Sequence, residues 1–203
     1  MSEPGDPELL AAWRTGDRKA GSALFDRHFR AVARFVRTKV AREDEVDDLV
    51  QTTFLACLEA PAAYRGDGNL RAYLLGIAWH KVQKLYADRG RGHLDVEVQS
   101  LADLGVGPNT ALARRGEHKL LLAGLRQLPL QFQVALELYF WEDLPAAAIA
   151  GLLGEPEGTV RTRIARAKQL LAGHIRRLTA ARALIASTLH GLDDWARSLR
   201  EEL

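Results

Sequence analysis

Apolar residues recur at three- and four-residue spacing along most of the chain, which is the periodicity of helices that bury one face. Clear stripes run over 24–36, 46–58 and 70–85. Pro61 ends the second stripe, because the residue before a proline avoids helical angles. No segment alternates apolar and polar residues for long enough to predict a strand. The pattern therefore predicts an all-α protein.

A stretch from 89 to 109 interrupts this periodicity. It contains four glycines and Pro108 but few large apolar residues at regular spacing. Such a composition predicts a linker between two small helical domains, each with a minimal core. We expect the first domain at 1–88 and the second at 110–178.

The second domain contains a short alanine-rich helix at 145–153, which Gly154 ends as a C-terminal cap. Pro156 opens a further helix, with Val160 and Ile164 on its buried face. A short helix, a tight turn containing glycine and a second helix with basic residues form a helix-turn-helix pattern.

The composition is that of an ordinary globular protein, with 203 residues, 47% hydrophobic and 27% charged. No uncharged apolar run approaches the ~18 residues of a membrane span, and the N-terminus lacks the pattern of a signal peptide. We therefore expect a cytoplasmic protein. The single cysteine, Cys57, and six scattered histidines predict no metal or cofactor. The sequence contains neither a phosphate-binding glycine loop nor a nucleophile elbow, so we do not expect an enzyme.

Charge is segregated along the chain, although the net charge is only +2. Every charged residue in 43–59 is acidic, and every charged residue in 158–178 is basic. This segregation indicates two surfaces with different partners.

The basic helix has the dimensions to enter a DNA major groove. Its N-terminal side chains would face bases and nearby phosphates: Glu157, Thr159, Arg161, Thr162 and Arg163. Arg166 and Lys168 would contact the phosphate backbone. The alternative is an ordinary helical hairpin with a solvated basic face.

Three blocks of sequence support a more specific interpretation. IAGLLG at 149–154 is followed by GTVRTR at 158–163, and this spacing resembles the fourth conserved region of extracytoplasmic-function (ECF) sigma factors. DLVQTTFL at 48–55 is similar to the core-binding helix of that family. LRAYLLGIA at 70–78 is similar to its promoter-melting segment.

The resemblance implies a transcription initiation factor that binds bacterial RNA polymerase core and directs it to specific promoters. The docking residues would be Asp47, Asp48, Leu49, Gln51 and Thr52. The minus-ten element would meet a second group, which comprises Asn69, Arg71, Trp79, His80, Lys81 and Lys84. The helix-turn-helix would read the minus-thirty-five element. An acidic docking helix is reasonable because charge steers and orients a partner, although a solvated face has the same composition.

The sequence departs from the family at several places, and Pro145 for one stands where a helix-capping serine is common. AWHK at 78–81 replaces an Ala-Arg-Asn-Arg-like stretch, so the bases read there are not implied. Glu155 stands where an apolar turn residue is common. A carboxylate at that position favours the helix dipole but repels phosphate, so its effect depends on where it points.

The segment 179–203 extends beyond the resemblance. Apolar residues recur every seven positions at Leu178, Ile185, Leu192 and Leu199, which predicts an amphipathic helix that packs on the protein or binds a partner. Two other functions remain open: a helix-turn-helix regulator that does not associate with polymerase, and a degenerate sigma-like binding module. The resemblance also leaves open whether an anti-sigma factor binds.

Overall fold

The computed structural model describes residues 3–59, 69–88, 100 and 116–178. Regular structure in these residues is helical, and a single bridge joins Ser100 to Pro129. The helices are α1 Asp6–Arg14, α2 Arg18–Arg37, α3 Glu43–Glu59, α4 Leu70–Asp88, α5 Gly116–Leu125, α6 Leu130–Leu136, α7 Ala146–Leu153 and α8 Glu157–Leu178. The all-α prediction is confirmed. None of the described helices has the length and apolarity needed to cross a bilayer. Apart from Ser100, the predicted linker 89–109 lies outside the described residues, as does the segment 179–203.

Helices α1–α4 form the first module. Asp17 caps α2, since its Oδ1 accepts hydrogen bonds from the backbone N–H groups of Lys19 (2.8 Å) and Ala20 (3.2 Å). Asp6 holds α1 against α2 through Arg27 Nη1 at 2.7 Å and His28 Nε2 at 2.8 Å. The core of this module takes apolar side chains from all four helices: Leu9, Leu10, Leu24, Val32, Phe35, Val36, Val46, Val50, Phe54, Leu74, Ala78 and Val82.

Helices α5–α8 form the second module. Helix α6 continues into a π-helical turn over Glu137–Trp141, which brings Glu137 and the following Glu142 into the protein interior. Gly154 ends α7 in the left-handed region, with φ 70° and ψ 31°, and the backbone N–H of Glu155 donates to Ala150 O at 3.0 Å. The predicted cap is therefore confirmed.

The two modules pack directly against each other. Helix α7 lies on α4, where a Cβ placed on Gly76 would be 3.4 Å from Leu152 Cγ. The buried apolar residues of both modules belong to one continuous core. The sequence pattern predicts two separate cores joined by a linker, and it contains no signal for this contact.

Candidate nucleic-acid interface and docking surface

The N-terminal turn of α8 has one buried face and one face that is exposed to solvent. Val160 and Ile164 point into the core, whereas Thr159, Arg161 and Thr162 are exposed on the other side. This division follows from the period of the helix, because residues three or four positions apart lie on the same face and the residues between them lie on other faces. The helix-turn-helix therefore presents the polar surface that the sequence predicts.

Arg161 is paired with Glu157 one turn earlier. Its Nη2 and Nε atoms donate to Glu157 Oε1 at 2.6 and 2.9 Å. Glu157 also interacts favourably with the positive end of the helix dipole. An exposed pair of this kind is worth about 0–1 kcal/mol, so Arg161 can leave it for a stronger ligand at little cost.

Arg163 lies in a different environment. Only 11% of its side chain is exposed, and its Nη1 donates to Glu155 Oε1 at 2.9 Å while its Nη2 lies 2.6 Å from Glu155 Oε2. Glu155 thus points back at α8 and neutralises Arg163. The carboxylate of Glu155 therefore joins the turn to α8 through an ion pair, and it points at Arg163.

Arg166 and Lys168 are exposed and lie over aromatic rings. Arg166 Cζ is 6.0 Å from the centre of Phe132, and Lys168 Nζ is 4.6 Å from Phe140 and 5.6 Å from Tyr139. The charged groups themselves thus lie near the ring faces, in cation–π contact, while both side chains remain exposed to solvent. Tyr139 is 39% exposed beside Lys168, and the sequence assigns it no role at this surface.

Helix α4 presents a polar stripe. Asn69, His80 and Lys84 are exposed and fall on one face by their spacing, whereas Arg71 and Lys81 are half-buried. Asn69 begins the helix, since its Oδ1 accepts from the backbone N–H of Ala72 at 3.2 Å. Residues 60–68, which precede Asn69, lie outside the described residues.

Trp79 does not belong to that stripe. The resemblance assigns it to DNA, but only 5% of it is exposed. It shares a face of α4 with Gly76, which contacts the second module, and with Tyr86, whose hydroxyl donates to Lys39 O at 2.5 Å. In this arrangement Trp79 is buried and therefore unavailable to a base.

Helix α3 carries an exposed stripe of mixed character. Asp47, Asp48 and Gln51 are exposed, and Thr52 is half-buried. Leu49 is 6% exposed and belongs to the core, where its carbonyl accepts from Thr53 Oγ1 at 2.6 Å; it supports the helix and presents no surface. Leu55 is 45% exposed one turn beyond Gln51. The sequence does not single it out, although the motif at 48–55 contains it.

Other chemistry is sparse in the described part of the chain. No group of three or more histidine, cysteine or acidic side chains there is placed to hold a metal. Cys57 is fully buried, and desolvation raises the pKa of its thiol to about 11 against the opposing charge of Arg14. A thiol in this state is a poor nucleophile.

Comparison with known proteins agrees with the two-module arrangement. The family model "Sigma-70 region 2" matches residues 24–92, and "Sigma-70, region 4" matches residues 118–171. The ECF RNA polymerase sigma factor SigM of Mycobacterium tuberculosis is 30% identical over 84% of this chain and 84% of its own length. RNA polymerase sigma factor NccH of Alcaligenes xylosoxydans is 31% identical over 84% of this chain and 95% of its own.

Solved structures show the same fold. CnrH, in complex with the cytosolic domain of CnrY, is 25% identical, with a TM-score of 0.65 over 86% of this chain and 99% of CnrH. The sigma factor RpoE of Bartonella quintana, in complex with the anti-sigma factor NepR, is 21% identical, with a TM-score of 0.60 over 76% of this chain and 96% of RpoE. With both region models in order and relatives of 30% identity over most of their length, the chain belongs to the ECF sigma factors of the sigma-70 family.

Proposed function

We propose that this protein docks on RNA polymerase core through α3 and reads two promoter elements, one with α4 and one with α8. The observation that carries the proposal is the exposed face of the N-terminal turn of α8, where Thr159, Arg161 and Thr162 lie opposite a buried apolar face. The acidic stripe of α3 is a second, chemically opposite surface. RNA synthesis belongs to the polymerase, so this chain supplies recognition only and acts in the cytoplasm.

The α8 turn offers donors and acceptors suited to a major groove. Arg161 has the fork of donors that pairs with guanine, and Glu157 is an acceptor for the amino group of cytosine. Arg161 and Glu157 bind each other in the free protein. Contact with DNA would break this ion pair and replace it with one base contact for each side chain. Arg166 and Lys168 lie further along the helix, where phosphate contacts fix its register.

The α4 stripe offers what an unstacked base and its backbone need. Asn69 provides an amide for hydrogen bonding, and His80 and Lys84 provide cationic or polar groups one turn apart. Lys81 lies beside this stripe, whereas Arg71 falls on the opposite side of the helix by its spacing. We assign the minus-ten element to it on this basis, with Trp79 joining only when its face of α4 is uncovered.

The α3 stripe suits a protein partner with a complementary surface. Asp47 and Asp48 supply negative charge that steers the encounter, while Leu55 supplies apolar area at the end of the same stripe. Gln51 and Thr52 lie between them. Because NepR is bound to RpoE in the relative described above, an anti-sigma factor remains a predicted partner of this chain as well.

Substitution at α8 tests promoter reading. Arg161→Ala should reduce run-off transcription from promoters that the wild-type protein selects among genomic fragments, while affinity for core polymerase is unchanged. Arg176→Ala, at the exposed far end of the same helix, is the matched control. Equal loss of polymerase affinity and transcription in the Arg161 variant would contradict the division of roles.

Substitution at α3 tests docking. Asp48→Lys should weaken binding to core polymerase, and Asp26→Lys, an exposed reversal on α2, should not. A wild-type protein that binds promoter duplex tightly but has no affinity for core polymerase would instead be a polymerase-independent regulator.

A further inference from the structure

Two ion pairs neutralise the charged side chains at the N-terminal end of α8. Arg161 binds Glu157 one turn earlier, and Arg163 binds Glu155 in the turn that precedes the helix. The segment 154–163 contains two acidic and two basic residues, so its net charge is zero. The rest of α8 differs, because every charged residue in it is basic. The end of the helix that would read DNA is therefore its least cationic part.

The two pairs differ in how firmly they are held. The side chains of Arg161 and Glu157 are 71% and 42% exposed, so water competes for both charges. The side chains of Arg163 and Glu155 are only 11% and 31% exposed. Nη1 of Arg163 lies 2.9 Å from one carboxylate oxygen of Glu155, and Nη2 lies 2.6 Å from the other. Such a two-pronged, partly buried contact is stronger than an exposed pair. Glu155 therefore retains Arg163, whereas Arg161 is easily released.

The turn between α7 and α8 holds Glu155 in place. Its backbone N–H donates to Ala150 O at 3.0 Å, directly after the left-handed Gly154. Pro156 follows it, and a residue before a proline is confined to extended backbone angles. Because the backbone of Glu155 is restricted on both sides, its carboxylate pays little additional conformational entropy to remain beside Arg163.

Arg163 lies on a face of α8 that would otherwise suit a phosphate. Thr159, four residues earlier, and Arg166, three residues later, share this face, and both are exposed. A guanidinium binds a phosphate through two parallel N–H donors. The carboxylate of Glu155 lies against these same two nitrogens of Arg163. A phosphate and Glu155 therefore compete for one group.

We propose that Glu155 sets the affinity of α8 for duplex DNA by keeping Arg163 away from the phosphate backbone. This inference rests on the proposed function and adds to it a residue that acts without touching DNA. Arg163, which the sequence pattern assigns to the DNA surface, then makes no contact with DNA. Arg166 and Lys168, which are exposed further along α8, supply the phosphate contacts.

The loss of one phosphate contact has two physical consequences. A phosphate contact strengthens binding to every sequence, because the backbone is the same at each base step. Without it, α8 binds DNA of any sequence less tightly, and the base contacts of Arg161 and Glu157 supply a larger share of the binding free energy. The affinity also depends less on salt, since each neutralised phosphate adds about 0.9 to the slope of log affinity against log salt concentration.

Glu155→Gln tests the proposal, because the amide keeps the shape of the carboxylate and loses the charge that retains Arg163. The full-length protein is titrated by fluorescence anisotropy against two labelled duplexes of equal length, one with a promoter selected by run-off transcription and one with a scrambled sequence. The slope of log affinity against log salt should steepen by about 0.9 on both duplexes. This slope amounts to about eightfold for each tenfold fall in salt, so the variant should bind both duplexes about eightfold more tightly at about 0.1 M salt.

Two further variants separate the release of Arg163 from other effects. Glu155→Gln combined with Arg163→Gln removes the released cation, so both the affinity and the salt slope should return to wild-type values. Asp26→Asn removes one exposed carboxylate from α2 and changes the net charge by the same amount, and it should leave both quantities unchanged. A steeper slope also excludes a merely structural effect, because a distorted turn would lose contacts with DNA.

Three outcomes would overturn the proposal. An unchanged salt slope in Glu155→Gln would mean that Arg163 gains no phosphate. A double variant that binds as tightly as Glu155→Gln would mean that the carboxylate itself repels DNA. Weaker binding of Glu155→Gln to the promoter duplex would mean that the pair positions α8. Failure of the proposed function is distinguishable, because the wild-type protein would then give no run-off transcript with core polymerase, whereas titration of the scrambled duplex needs neither polymerase nor a promoter.

Discussion

Lys39 provides the sharpest quantitative test, because its charge is wholly buried and has one carboxylate partner, Glu137. Lys39→Met retains the length of the stem and removes the cation. Glu137, 2% exposed, would keep only its hydrogen bonds from Thr38 and Gln133. Removing one partner of a buried pair typically costs about 3–5 kcal/mol, since the remaining charge stays desolvated.

The modules provide a way to avoid that cost. If they separate, water solvates Glu137, and the penalty is limited to the free energy that holds the modules together. We therefore expect Lys39→Met to shift the equilibrium from packed towards separated modules by up to about 100–4,000-fold, at 1.4 kcal/mol for each factor of ten. The stability of each module should change less.

Small-angle scattering measures this shift directly. The radius of gyration should rise from about 17 Å for the packed chain towards about 25 Å for modules whose centres stand ~45 Å apart. Lys39→Met combined with Glu137→Leu should return it to the wild-type value, because replacing both charges with apolar groups is neutral or stabilising. Urea unfolding of the wild-type protein, the two single variants Lys39→Met and Glu137→Leu, and the double variant completes the double-mutant cycle.

Two results would refute this reasoning. An unchanged radius of gyration and an unchanged unfolding midpoint in Lys39→Met would show that the buried pair does not exist in solution. A loss of about 3–5 kcal/mol in a single cooperative transition, with no increase in size, would show that the modules unfold together before they separate.

Three further predictions concern individual residues. With a pKa of about 11, about 0.1% of Cys57 should be thiolate at pH 8. Native protein should therefore react with iodoacetamide far more slowly than protein in denaturant, and equal rates would contradict the burial of Cys57. Gly154→Ala should destabilise the second module by about 1 kcal/mol, because the φ of Gly154 is 70°. Gly151→Ala should stabilise it by about 0.5–1 kcal/mol, because Gly151 lies inside α7 with open space around it. Thermal melts that rank the two variants in the opposite order would refute the helix cap at Gly154. Burial raises the pKa of Glu142 above its ordinary 4.5, so the packed modules bind this proton more tightly than separated modules do. The contribution of the proton to packing is present below pH 4.5 and is lost as pH rises through the raised pKa. Small-angle scattering across that range should show a weaker pH response in Glu142→Gln than in the wild-type protein.

The sequence alone determined the local features of this protein. Periodic apolar residues are sufficient to indicate the helices, and Gly154 indicates the turn before α8, because both depend on preferences within a few residues of chain. The exposure of Arg161 opposite Val160 follows from the same period. The motifs at 48–55 and 149–163 were enough to identify the family.

Only the tertiary structure decided what lies between the modules. Arg34 and Glu142 are 108 residues apart, and nothing in either segment indicates that they pair. Trp79 is an aromatic residue on a predicted DNA-binding helix, but it is buried in the core. Such contacts depend on the angle and depth at which whole helices pack, and these are set by side chains distant in the sequence.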